Sequence, residues 1–152
     1  MWISEALYSQ ILQVMPIPCV DLMVVDDAGK VLLLLRKNEP AADQWFFPGG
    51  RVQFGEQRRD AAKRKLEEEC GLVSTQFQEI GTFDILFNDA PKPRIHSITT
   101  LFKVRVGSGH GVRLDHQSRE ACWLTAREWL ERELHPFIRE SLAEMLKCLN
   151  EG

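Results

Sequence analysis

The chain has 152 residues, of which 44% are hydrophobic and 27% charged, a balance typical of one globular domain. Its net charge of −3 gives no electrostatic argument for a nucleic-acid partner. No apolar run approaches the roughly 20 residues of a membrane-spanning helix, and the N-terminus lacks the pattern of a signal peptide. None of the four cysteines has C-x-x-C spacing, which argues against a zinc site or a redox motif. Because no export signal is found, we expect free thiols in a cytoplasmic protein without a membrane partner.

The N-terminal part of the chain is expected to form a helix and a strand pair. Apolar residues recur on one helical face over Ile3 to Met15, with Ser4 as a candidate cap and prolines just after the end. A strand over Val20 to Val25 and a return strand over Val31 to Leu35 flank a turn. From this pattern alone, Asp21 is expected at a strand end.

The middle of the chain combines an aromatic, glycine-rich segment with a helix. Residues 45–50 read W-F-F-P-G-G and run into a tight turn, and a short extended piece follows over Arg51 to Phe54. A helix is predicted from Glu56 or Gln57 to Cys70, where Gly71 closes it in the left-handed conformation. The residues expected on its buried face are Ala61, Ala62, Leu66 and Cys70.

The second half of the chain continues the alternation of strands and helices. Strand character appears between Val73 and Phe87, over Ile95 to Val106 and over Glu120 to Leu124, with loops at 88–93 and 107–111.

Two helices are predicted to end the chain. Thr125 and Glu128 have the spacing of a capping box for a helix to about Glu133, and Pro136 opens a helix to about Asn150. These elements predict a single α/β domain over 1–152, with a mixed sheet packed between helices.

Charged residues and glycines follow a regular spacing between residues 50 and 72. Gly50 is followed by Glu56, then Arg64, a run of three glutamates at 67–69, and Gly71. The acidic side chains of this helix would face the backbone of the preceding loop. Such an oxygen-rich site suits Mg²⁺, with Mn²⁺ as a substitute.

This segment resembles the Nudix box, whose pattern is G, five residues, E, seven residues, then R-E-U-x-E-E-x-G-U, where U is aliphatic. The matching residues are Gly50, Glu56, Arg64, Leu66, Glu68, Glu69, Gly71 and Leu72. The resemblance implies a Nudix α/β/α sandwich and a hydrolase that depends on a divalent cation. It also implies that Arg64 orients a glutamate in the site.

Lys65 departs from the box, because the family has a glutamate at this position. An ammonium roughly 6 Å from Mg²⁺ would oppose metal binding by several kcal/mol at an effective dielectric constant of about 20. Two arrangements would relieve this repulsion. Either the side chain swings into solvent, or the site binds fewer metal ions.

The stretch from Pro16 to Arg51 is similar to the GDP-mannose mannosyl hydrolase branch of the Nudix family. The matching residues are Asp21, Arg36, Asn38, Pro40, Trp45, Phe46 and the segment 48–53. That branch also lacks the first box glutamate and uses one Mg²⁺. The branch implies that Gly49, through its carbonyl, Glu69 and Gln117 hold the metal. Glu68, which this chain retains, is a further candidate metal ligand and catalytic residue.

The resemblance also assigns substrate and catalytic positions. Asp21, Arg36, Arg51 and His96 match substrate-binding positions, although Ser97 stands where the branch has an aromatic residue. The catalytic base of the branch falls on Ser118, two positions after His116. Three alternatives remain open here: His116 is the base in a longer loop, the base is missing, or His116 is an exposed loop residue.

Three functions are compatible with these residues. The first is hydrolysis of a nucleoside-diphosphate sugar, above all GDP-mannose, to GDP and mannose by attack of water at the anomeric carbon. The second is an ordinary Nudix pyrophosphohydrolase that cleaves a phosphoanhydride of a nucleotide or nucleotide sugar. The third is a catalytically inactive domain that senses a nucleotide. The resemblance to the branch also implies a homodimer with the N-terminal helix at the interface.

Overall fold

A mixed sheet with helices on both faces forms the part of the chain that the computed structural model describes, residues 2–87, 95–109 and 111–152. The loop predicted at 88–93 and His110 of the predicted turn at 107–111 lie outside these residues. The strands are β1 Ile17–Val25, β2 Lys30–Arg36, β3 Trp45–Phe46, β4 Gly49–Arg51, β5 Gln76–Phe87, β6 Ile95–Arg105 and β7 Ser118–Thr125. The helices are α1 Glu5–Val14, α2 Arg58–Cys70, α3 Ala126–Leu130 and α4 Pro136–Asn150.

The seven strands found in the described residues form one sheet with β1 at its centre. The order is β3-β2-β1-β6-β5, while β4 also pairs with β1 and β7 also pairs with β2. β1 and β6 are parallel, and every other pair is antiparallel. The α/β class with a mixed sheet between helices is therefore confirmed.

Two apolar cores lie on opposite faces of the sheet because side chains alternate along β1. Val20, Leu22 and Val24 pack toward α2, whose buried residues include Ala62 and Leu66. The β1 side chains on the opposite face of the sheet pack with α3 and α4. That second core contains Met23, Val25, Trp129, Ile138 and Leu142.

Local capping signals place the helix ends close to their predicted positions. The Ser4 hydroxyl accepts a hydrogen bond from the Leu7 N–H at 3.3 Å, and Gly71 adopts φ 65° after α2. Thr125 and Glu128 form the predicted capping box. α3 nevertheless ends at Leu130, earlier than the predicted Glu133.

The main correction to the predicted elements concerns β1, which begins at Ile17 rather than Val20. Its parallel pairing with β6 runs from Ile17 opposite Ser97 to Val25 opposite Arg105, so the strand is longer than its apolar run. The expectation that Asp21 lies at a strand end was wrong, since this residue is in the interior of the central strand. In the described residues, no helix is long and apolar enough to cross a bilayer.

Candidate active site

A cleft of about 920 Å³ opens beside the central strand, between α1, β4 and α2. This volume is in the range of small-molecule binding sites. Tyr8, Phe46 and Phe87 contribute aromatic surface to its wall. The site residues predicted from the sequence that line it are Asp21, Arg36, Gly49, Arg51, Arg64, Glu68 and Gln117. These predicted residues come from five separate segments of the chain: β1, β2, β4, α2 and the loop before β7.

Glu69 connects α2 to the glycine turn behind this lining. Glu69 is only 1% exposed. Its Oε2 accepts a hydrogen bond of 2.6 Å from the Gly49 N–H. Burial raises the pKa of Glu69 to about 7, although Lys65 and the Gly49 N–H both favour the charged carboxylate. The contact holds the backbone of β4 against the helix.

Arg64 is the centre of a hydrogen-bonded cluster that fixes the loop before α2. Its guanidinium contacts both carboxylate oxygens of Glu56, at 2.8 and 2.9 Å, and donates to the Arg51 carbonyl at 3.0 Å. A further bond of 3.2 Å reaches Glu68. The Arg64 hydrogen bond lowers the pKa of Glu56. This geometry is compatible with an orienting role for Arg64, and it gives Arg64 two glutamate partners.

Lys65 lies in the site and not in solvent, so the first of its two predicted arrangements was wrong. The residue is 6% exposed, and its Nζ is 3.6 Å from Glu68 Oε2 and 3.8 Å from Glu69 Oε1. Its aliphatic chain lies against Gly50, where a side-chain Cβ would be 2.8 Å from the lysine Cε. The missing side chain at Gly50 therefore makes room for the lysine.

Asp21 is a buried carboxyl in the interior of β1. The Thr99 hydroxyl on the neighbouring strand donates a hydrogen bond of 2.6 Å to its Oδ2. Burial, together with the nearby Glu69, raises the pKa of Asp21 to about 7, although the Thr99 bond lowers it in part. Sequence reasoning missed Thr99. The signal for it was the pair of hydroxyl residues, Ser97 and Thr99, at alternate positions of β6.

The two predicted substrate arginines both line the cleft, and each has a neighbour that orients it. Arg36 donates through Nε to the Pro40 carbonyl at 2.8 Å. The Arg51 guanidinium lies over the Tyr8 ring, 5.2 Å from its centroid, in a cation–π contact. Tyr8 was not recognised from the sequence, where it appeared only as a helix residue; its approach to Arg51 depends on how α1 packs.

Two of the predicted residues are placed away from the cleft. His96 lies between Ile95 and Ser97, which line the cleft, so its side chain points to the opposite face of β6, where Nε2 is 2.8 Å from Asp84 Oδ1. His116 is exposed in the loop before β7 and is not among the described lining residues. The next residue, Gln117, does line the cleft.

The donor types near the glycine turn match a divalent cation. In the described ranges, no group of three or more His, Cys, Asp or Glu side chains is placed to hold a metal. The candidate set instead mixes two carboxylates, Glu68 and Glu69, with the Gly49 carbonyl and the Gln117 amide. All of these are hard oxygen donors, and Glu68 is 48% exposed toward the cleft.

Comparisons with known proteins identify the family. The family model described as NUDIX domain matches residues 15–145. The chain is 33% identical over 130 residues to the low-salt glycan biosynthesis protein Agl8 of Haloferax volcanii, covering 84% of this chain and 80% of that protein. It is 32% identical over 123 residues to putative 8-oxo-dGTP diphosphatase 2 of Mycobacterium tuberculosis, covering 79% and 82%.

A solved structure has the same fold. The NUDIX domain of Shewanella oneidensis NrtR, complexed with ADP ribose, aligns with a TM-score of 0.74 at 20% identity, covering 97% of this chain and 99% of that one. At this identity the likeness shows the fold alone. The family model covers most of the chain, and Agl8 is a relative above 30% identity over most of both sequences. The chain therefore belongs to the Nudix family.

Proposed function

We propose that this chain is a Mg²⁺-dependent Nudix hydrolase of a nucleoside-diphosphate sugar, with GDP-mannose as the substrate. The observation that carries the proposal is one cleft that joins Asp21, Arg36 and Arg51 to the glycine turn and Glu68. Nudix hydrolases generally use divalent cations and act on nucleotides. The similarity to a glycan biosynthesis protein supports a sugar-linked nucleotide over a free nucleotide.

The proposed roles follow from charge and hydrogen-bonding capacity. Arg36 and Arg51 present forked donors to the diphosphate, for which guanidinium groups are well suited. Asp21 accepts a bond from Thr99 through Oδ2, and because the residue lines the cleft, its other oxygen would accept a hydrogen bond from a sugar hydroxyl. A Mg²⁺ ion held by Gly49, Glu68, Glu69 and Gln117 would neutralise charge on the leaving diphosphate.

The reaction in this proposal breaks the bond between the anomeric carbon and the glycosidic oxygen. His116, on the loop that carries Gln117, takes a proton from water, and the water oxygen bonds to the anomeric carbon. The glycosidic oxygen leaves with the β-phosphate. The products are GDP and mannose. In the structure His116 lies outside the cleft lining, so this role requires the loop to move when substrate binds.

That position of His116 favours a second candidate function. In a pyrophosphohydrolase, water attacks phosphorus and not carbon, so no base is needed beside the anomeric carbon. The relative from M. tuberculosis is named as a diphosphatase, which agrees with this chemistry. This enzyme would convert GDP-mannose to GMP and mannose 1-phosphate.

Hydrolysis of GDP-mannose with Mg²⁺ in ¹⁸O-labelled water separates the two reactions. We expect mannose and GDP, with the label in mannose, because attack at carbon transfers the water oxygen to the sugar. Mass spectrometry of the products locates the label. Label found only in a phosphate would eliminate attack at carbon and support the pyrophosphohydrolase. Unlabelled reactions and reactions without Mg²⁺ serve as controls.

We also propose that α1 forms a homodimer interface. Among its residues and those beside it, Trp2, Leu7, Val14 and Met15 are exposed apolar side chains. Replacement of Leu7 and Val14 by glutamate is expected to convert a dimer to a monomer, because each change places a charge in an apolar contact. Multi-angle light scattering measures the mass, and Val73→Glu, an equally exposed apolar position elsewhere, is the control. A monomeric wild-type chain would contradict the proposal.

A further inference from the structure

Lys65 places a positive charge inside the acidic cluster where the Nudix pattern has a carboxylate. The residue is 6% exposed, and a buried ammonium is retained only when opposite charges surround it. Among the described residues, its Nζ forms ion pairs with Glu68 and Glu69, at 3.6 and 3.8 Å. Both distances are longer than a hydrogen bond, so the ammonium compensates the carboxylates through charge.

The lysine is held in this position by its surroundings. Its Cε lies where a side chain on Gly50 would be, and the α2 backbone fixes the spacing to Glu68 and Glu69 at three and four residues. Rotation to solvent would break both ion pairs and empty the space beside Gly50. The positive charge is therefore part of the cleft wall.

The local charge decides how many divalent ions the cluster can hold. With glutamates at positions 65, 68 and 69, the fully ionised cluster would carry a charge of −3. With Lys65 the same three positions carry −1 once both glutamates are ionised, as metal binding requires. The Arg64 guanidinium, 3.2 Å from Glu68, neutralises part of the negative charge of that carboxylate. A charge of −1 offsets half of one divalent ion, and a second ion would leave the cluster strongly positive and without a third carboxylate ligand.

We propose that Lys65 is a built-in cation that takes the place of a second divalent ion, so that the site binds one ion per chain. The inference rests on the proposed metal site at Glu68 and Glu69. It concerns the number and affinity of the ions and does not depend on which bond of the substrate is cleaved.

Binding of Mn²⁺ to the full chain tests this proposal without any measurement of activity. Free Mn²⁺ is followed by electron paramagnetic resonance, and the wild type is expected to bind one ion. Lys65→Glu restores the third carboxylate and is expected to bind two. Lys65→Gln removes the charge but adds no strong ligand, so it is expected to bind one ion at least about tenfold more tightly because the repulsion is gone.

Lys63→Glu is the matched control. Lys63 is exposed on the same helix and outside the cleft lining, so reversal of its charge is expected to leave the stoichiometry unchanged. Circular dichroism checks that each variant is folded, and Lys65→Gln alone carries the test should Lys65→Glu fail to fold.

The outcomes separate this proposal from the proposed function. Two ions in the wild type, one ion in folded Lys65→Glu, or no gain in affinity in Lys65→Gln would each overturn the role of Lys65 and leave the metal site in place. No Mn²⁺ binding by any of these chains would overturn the metal site and this inference together.

Discussion

Replacement of Glu69 by glutamine is expected to reduce Mg²⁺-dependent turnover by at least about 10³-fold, which corresponds to about 4 kcal/mol of transition-state stabilisation. Glutamine keeps the shape of the side chain, and its carbonyl oxygen can still accept the 2.6 Å bond from the Gly49 N–H. It removes the negative charge that a divalent ion needs. The variant should therefore fold and lose activity, and steady-state kinetics with GDP-mannose at saturating Mg²⁺ measure the loss.

Glu67→Gln is the control, because Glu67 is exposed on α2. This substitution removes the same charge two residues away from Glu69. We expect its turnover to stay within about twofold of the wild type, as is usual for surface substitutions away from a site. Robust wild-type turnover that Glu69→Gln abolishes would exclude the nucleotide-sensing function. If Glu69→Gln retains wild-type turnover, Glu69 is not part of the metal site and the proposed chemistry is wrong.

The parts of the fold that could be predicted are those that depend on neighbouring residues. Ser4, Gly71 and the Thr125–Glu128 pair cap helices through contacts within a few residues, so their types and spacing were sufficient. The spacing of Gly50, Glu56 and Arg64 likewise predicted one connected loop and helix.

The parts that could not be predicted depend on residues far apart in the chain. Asp21 meets Thr99 across 78 residues, through a parallel pairing that no local pattern reveals. The direction of Lys65 depends on how closely β4 approaches α2. We predicted that His96 binds the substrate. The register of β6 instead directs its neighbours, Ile95 and Ser97, into the cleft. A shift of one residue in register reverses which side chains face a site.

Replacement of Gly49 by alanine is expected to destabilise the protein by about 3 kcal/mol, the upper part of the range for overpacked positions. A Cβ there would lie 2.3 Å from the Val20 carbonyl oxygen and 2.8 Å from Asp21 Oδ1. The first neighbour is backbone and cannot rotate away, so β4 must move from the central strand to which it is paired. In thermal denaturation, the midpoint should fall by roughly 6–12 °C.

The same movement should also lower turnover by about 10²-fold, because Gly49 carries both the Glu69 contact and the carbonyl proposed as a metal ligand. Gly50→Ala is expected to cost less, since its Cβ would meet the flexible end of Lys65 and not backbone. Gly111→Ala meets nothing within 4 Å and should be close to neutral. The predicted order of destabilisation is therefore Gly49, then Gly50, then Gly111. A Gly49→Ala variant as stable as Gly111→Ala would mean that β4 is not packed closely on β1, and the positions assigned to Gly49 and Glu69 in the site would no longer hold.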